Sequence, residues 1–118
     1  MSVPGAQRRI LEAARQWAEV EIKPHRYGGL EFRLGRRELG HIHGDRLLDI
    51  PFPKAVRDEL VACGDAEPHH VIPNSGWVSV FLRTEEDVPR AIRLLERSFS
   101  LAATQLARKP GHDAGRNL

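Results

Sequence analysis

The stretch Glu38-Leu39-Gly40-His41-Ile42-His43-Gly44-Asp45-Arg46-Leu47-Leu48-Asp49-Ile50 decides how this chain folds. It reads as two strands joined at Gly44, and its turn can be built in two ways. A two-residue turn, Gly44-Asp45, pairs His43 with Arg46 and pushes His41 toward Leu48. A three-residue turn, Gly44-Asp45-Arg46, pairs His43 with Leu47 and His41 with Asp49. The second is preferred, because it gathers Ile42, Leu48 and Ile50 on one apolar face. It also sets a carboxylate beside an imidazole, which raises the pKa of that histidine.

Upstream, Leu30, Phe32 and Leu34 alternate with Glu31 and Arg33, the period of a half-buried strand, and Gly35-Arg36-Arg37 turns into the hairpin. Such short connections predict an antiparallel three-strand meander. Earlier still, Ile10, Ala14 and Trp17, flanked by Leu11 and Ala18, predict a helix from about Gly5 to Glu21, with 23–29 as a loop. Downstream, Pro51 and Pro53 end the third strand and open a helix with Val56, Leu60 and Cys63 as its buried stripe and Gly64 as its cap.

Residues 76–82 form the clearest strand, with Val78, Val80 and Leu82 on one face and Trp77, Ser79 and Phe81 on the other. Thr84 and Asp87 then suggest a capping box ahead of a long helix whose ridge is Val88, Ile92, Leu95, Phe99, Ala102 and Leu106. The predicted class is α+β: two layers, a mainly antiparallel sheet (the meander plus one strand) with helices packed on it, in the order α-β-β-β-α-β-α. Residues 1–108 are expected to form a single domain and 109–118 a flexible C-terminal tail.

With 118 residues, 41% hydrophobic and 29% charged, the chain has the composition of one ordinary globular domain and no room for a second. No apolar run approaches the roughly 20 residues of a spanning helix, and Arg8 and Arg9 stand where a signal peptide would be apolar. A single cysteine, Cys63, fits a reducing compartment. A cytoplasmic location without a membrane partner is therefore expected. The formal net charge is only +2, with acidic residues interleaved among the arginines, which disfavours nucleic acid as a partner.

Some polar residues are poorly explained by folding alone. His41 and His43 leave the same strand face about 6.6 Å apart along the chain, a spacing that can chelate a metal. His69, His70, Asp45, Asp49 and Glu67 are eligible further ligands, and the metal candidates are His41, His43 and His69. The bland alternative is a pair of hydrogen-bonded histidines bracing the hairpin. Asp49 can orient a catalytic histidine or serve as a turn or cap acceptor. Ser75, Ser79 and Ser98 lack the context of an exposed nucleophile, and Cys63 reads as a buried small hydrophobe. Trp77 and Phe81 are expected to line a ligand pocket or a homodimer interface, unless the first helix or the loop after residue 64 covers them. Arg90, Arg93 and Arg97 read as a solvated helix face before a phosphate-binding stripe.

Four segments carry a family resemblance: Glu38 to Gly44; Asp49-Ile50-Pro51-Phe52-Pro53; His69-His70 through Gly76-Trp77-Val78-Ser79; and Leu94-Leu95-Glu96-Arg97-Ser98-Phe99. Together they resemble the small bacterial and fungal proteins grouped as luciferase-like domains, over about residues 25–100. A fainter similarity in Gly76-Trp77-Val78 and Arg97-Ser98-Phe99 runs to the YjbR-like small α+β domains, some described as DNA-binding. No flavin, nucleotide or luciferin site is marked, since the sequence has no Gly-x-Gly-x-x-Gly fingerprint or phosphate loop, and the cofactor stays open, a metal included. The leading functional reading is a module that binds a small ligand or a second copy of itself. The rival is an enzyme, metal-dependent or not, using His41, His43 and Asp49 with His69 or His70. Nucleic-acid binding is third.

Overall fold

A computed structural model of the protein describes residues 2–108; the predicted tail at 109–118 lies outside them. The elements are α1 (Ala6–Ala14), β1 (Val20–Pro24), β2 (Leu30–Leu34), β3 (Arg37–His43), β4 (Leu47–Pro51), α2 (Lys54–Ala62), β5 (Glu67–Pro68), β6 (Trp77–Phe81) and α3 (Asp87–Ala107). The strands form one antiparallel sheet in the order β1-β2-β3-β4-β6-β5. The α+β architecture is as expected, with two more strands than the sequence suggested.

The β3–β4 hairpin takes the three-residue turn: His41 pairs with Asp49, Ile42 with Leu48 and His43 with Leu47. β6 then pairs with β4, setting Ser79 opposite Asp49 and Trp77 opposite Pro51. One sheet face, with Phe32, Ile42, Leu48, Ile50, Val78 and Val80 fully or almost fully buried, meets the helices in a single core. The other face carries the polar residues. The turn is fastened from outside: the Val3 N–H donates to the Asp45 carbonyl (3.1 Å), and the Gly5 and Gln7 N–H groups donate to the Asp45 carboxylate at 3.1 and 2.9 Å. Asp45 thus supplies negative charge at the N-terminus of α1, where the helix dipole favours it.

A bulge interrupts β3. Phe32 faces Gly40 but Arg33 faces Glu38, so Leu39 is an extra residue. Its carbonyl accepts a hydrogen bond from buried Ser98 Oγ of α3 (2.9 Å). Gly40 is needed here by close approach, since a Cβ would stand 2.9 Å from the Asp49 carbonyl oxygen and 3.1 Å from Leu95 Cδ1.

Four expectations are corrected. The first helix stops at Ala14, and residues 20–24, divided between helix and loop in the sequence reading, form edge strand β1. Glu19 adopts a left-handed conformation (φ 64°) that turns the chain, and Val20 and Ile22 alternate as strand residues; Pro24 is tolerated on an edge. Trp17 stacks on Phe99 at 5.6 Å. In α2 only Leu60 is buried, Val56 is half-buried and Cys63 is exposed, because this helix reaches only the β5–β6 end of the sheet. The buried stripe of α3 is Val88, Ala91, Leu94, Leu95, Ser98 and Ala102; Ile92 and Phe99 lie at its margin, and Leu106 is exposed, near the far end of the helix.

Candidate functional site

The polar sheet face forms an open cleft of about 860 Å³. Its floor is set by strand pairing, which brings His41, His43, Asp49, Ser79 and Trp77 to one face of β3, β4 and β6. The β1–β2 turn supplies His25 and Tyr27, and the β5–β6 connection supplies His69, His70, Val71 and Ile72.

Asp49 is the centre. Its side chain is buried, and Oδ1 accepts the Ser79 hydroxyl at 2.7 Å. Around Oδ2 stand four imidazole Nε2 atoms: His70 at 3.2 Å, His41 at 3.3 Å, His43 at 3.4 Å and His69 at 3.5 Å. They divide into two triads that share the carboxylate, His41–His43–Asp49 and Asp49–His69–His70. His41 Nδ1 lies 2.7 Å from Glu38 Oε2. His69 Nδ1 accepts the N–H groups of Val71 and Ile72 at 3.1 and 3.2 Å, so the neutral ring carries its proton on Nε2.

Burial pushes the Asp49 carboxyl up, but hydrogen bonds from His41 and Ser79 and the neighbouring imidazoles outweigh it and bring the pKa down to about 2. Burial likewise lowers His41, yet its hydrogen bonds to Asp49 and Glu38 raise it to about 9. His43 and His69 are lowered, mainly by burial; the charge of His41 acts in the same direction on both. His41 is therefore the more basic imidazole of the cluster, and His43 and His69 are less basic than it.

A pH dependence of stability follows. The folded-state pKa of His41 is above its unfolded value, so its contribution is full below about 6.5 and is lost as pH rises through about 9. Asp49 has the opposite sign: its contribution is present above about 3.9 and is lost as pH falls through about 2. His43 and His69 contribute above about 6.5 and lose that contribution in acid. Urea unfolding of the protein should show a stability decline between about pH 6.5 and 9 that His41→Gln removes. A decline of the same size in the variant would assign it to another group.

All five histidine and aspartate candidates line the cleft, and so does Trp77; Phe81 stands beside it, its ring 6.5 Å from that of His70. Asp45 and Glu67, eligible as ligands by chemistry, lie elsewhere: Asp45 holds α1, and Glu67 pairs with Arg83 at 2.8 Å. Asp49 is not a turn or cap acceptor, since its side chain leaves the sheet on the cleft face. Ser75 Oγ donates to the Ile72 carbonyl, and Ser79 and Ser98 are buried and hydrogen-bonded. Arg90, Arg93 and Arg97 pair with Asp87, Asp65 and Glu59.

Sequence reading missed His25, Glu31 and Glu38. His25 Nε2 lies 3.9 Å from both carboxylates, and its ring is 4.2 Å from that of His41. Glu31 pairs directly with His41 across β2–β3, so the alternation of β2 carried that signal. Glu38 was hidden, because three residues along a regular strand reverse the face. The extra residue at the bulge restores it to the side of His41.

A single antiparallel sheet with helices on one face and a histidine–carboxylate cleft on the other defines a small α+β protein with a built polar site. The chain belongs to the luciferase domain family: the model of that family, described as Luciferase domain, matches residues 36–98. That span holds His41, His43, Asp49, His69 and His70, whereas His25 and Glu31 precede it. No curated protein and no solved structure matches the chain. Among the described residues, no helix is long and apolar enough to cross a membrane.

Proposed function

We propose that His41, His43 and Asp49 hold one divalent transition-metal ion, and that its open positions bind and polarise a small organic ligand in the cleft. The observation that carries this reading is the set of 3.2–3.5 Å separations between Asp49 Oδ2 and the four Nε2 atoms. Charge-assisted N–H···O bonds are shorter, about 2.7–2.9 Å, and one carboxylate oxygen does not accept four of them well. Ligand atoms each about 2.0–2.2 Å from a common ion, at ordinary coordination angles, stand roughly 3.0–3.5 Å apart.

The first triad is favoured over the second by its outer partners. Glu38 accepts a hydrogen bond from His41 Nδ1–H, which leaves the Nε2 lone pair for the ion, a carboxylate–histidine–metal arrangement. His69 is oriented the other way, its Nδ1 already accepting two backbone donors. It acts as an N–H donor rather than a ligand. Two histidines and one carboxylate leave positions open for exogenous ligands, and imidazole suits zinc or iron better than magnesium or calcium. The half-buried Trp77, 5.2 Å from His41 and 6.0 Å from His69 between ring centroids, supports a pocket wall in preference to a homodimer anchor.

Equilibrium dialysis against zinc or iron(II) should give one tightly held equivalent. His41→Ala should abolish it and His69→Ala should leave the stoichiometry intact. Because the ion must displace the His41 proton, apparent affinity should rise about tenfold per pH unit from neutrality to about pH 9. Uptake unaffected by His41→Ala would sink the assignment.

A further inference from the structure

The large hydrophobic side chains left exposed among the described residues are Tyr27, Val71, Ile72 and Leu106, and all but Leu106 line the cleft. They form two walls of the cleft. Tyr27 stands on the β1–β2 turn, while Val71 and Ile72 stand on the β5–β6 connection. These segments flank the floor from opposite sides of the sheet, with β3 and β4 between them.

Both walls are anchored to the polar floor. The Tyr27 N–H donates to His25 Nδ1 at 3.1 Å, and the Arg26 guanidinium lies 4.8 Å over the Tyr27 ring. On the other side, the Val71 and Ile72 N–H groups donate to His69 Nδ1, and Ser75 Oγ closes the loop on the Ile72 carbonyl at 2.7 Å. These contacts hold Tyr27 75%, Val71 70% and Ile72 46% exposed beside a polar site. Solvent-facing apolar surface gathered around one cleft marks a binding site, and about 860 Å³ fits a small molecule.

The floor asks for the opposite chemistry. A divalent ion held by two neutral imidazoles and one carboxylate keeps net positive charge. Glu31 is bonded to Arg33 and Glu38 to His41, so both nearby carboxylates already have partners. His69 Nε2–H adds a donor, its tautomer fixed by the wall that it anchors. Resting on the metal reading above, we infer that the cleft takes an amphipathic organic anion. A carboxylate-type oxygen head binds the ion and the His69 N–H, and an apolar body lies between Tyr27 and the Val71–Ile72 wall.

The test is calorimetric titration of zinc-loaded and metal-free protein with straight-chain carboxylates from acetate to decanoate. Affinity should rise about fourfold per methylene, the factor that burial of one such group gives, until the walls are filled. Tyr27→Ser combined with Ile72→Ser, both at exposed positions, should flatten the series while zinc content stays at one equivalent. Removing zinc should weaken every member and keep the slope. A steep series in protein that takes up no zinc counts against the metal and for the walls. A flat series in zinc-loaded protein overturns the inference and leaves the metal standing. Self-association that Tyr27→Ser dissolves, with a flat series, gives the walls to a second copy and also overturns it.

Discussion

Replacing Asp49 with asparagine should weaken the metal binding proposed for the cleft by more than about 100-fold, beyond the 10- to 100-fold typical when only an outer partner of a ligand is lost. The same change should lower the His41 pKa from about 9, because Asp49 supplies the first of the hydrogen bonds that raise it. Asparagine keeps the shape of the side chain, and its carbonyl oxygen can still accept the Ser79 hydroxyl now 2.7 Å from Oδ1. Folding should survive. Chelator competition reads the first effect, and proton NMR titration of the histidine rings reads the second. If His41 titrates unchanged in Asp49→Asn, Glu38 alone holds its proton and the centre of the cluster has been misplaced.

The second large effect is expected in the core. Leu95 is fully buried where α3 crosses the β3 bulge, and its Cδ1 occupies the space that the missing side chain at Gly40 leaves. Leu95→Ala should cost about 2–5 kcal/mol by removing buried methyl groups and opening a cavity. Leu106→Ala is the matched control: at 51% exposure it should change stability by less than about 0.5 kcal/mol. Equal losses at the two positions in urea denaturation would mean that α3 is seated on a different face.

That pair of leucines shows where the sequence was legible. Periodicity identified α3 and its ridge but counted Leu106, since spacing alone does not say where the sheet ends beneath a helix. The His41–Asp49 pairing was readable because only one turn length put Ile42, Leu48 and Ile50 together. The arrival of Ser79 beside Asp49 depends on β4 and β6 being neighbours, a non-local fact that no turn encodes. β1 was obscured because its alternating residues directly follow a helical pattern, the break being a left-handed Glu19 that favours no such prediction. Two-residue β5 is too short for a period to register. Cys63 was placed inside on helical spacing alone, whereas α2 sits at the sheet margin and buries a single residue.

The Asp45 turn gives the N-terminus an influence that its distance from the histidines conceals. The loop that fixes which residues face each other across β3 and β4 is clamped by Val3, Gly5 and Gln7 on one side and, through the Arg46 carbonyl, by the Leu82 N–H at 2.8 Å on the other. Alignment of His41 with Asp49 is thereby tied to the seating of α1. A tag or truncation at the first few residues acts on the His41–Asp49 alignment from a distance, and its effect should reach the titration of His41 before it reaches the helix content.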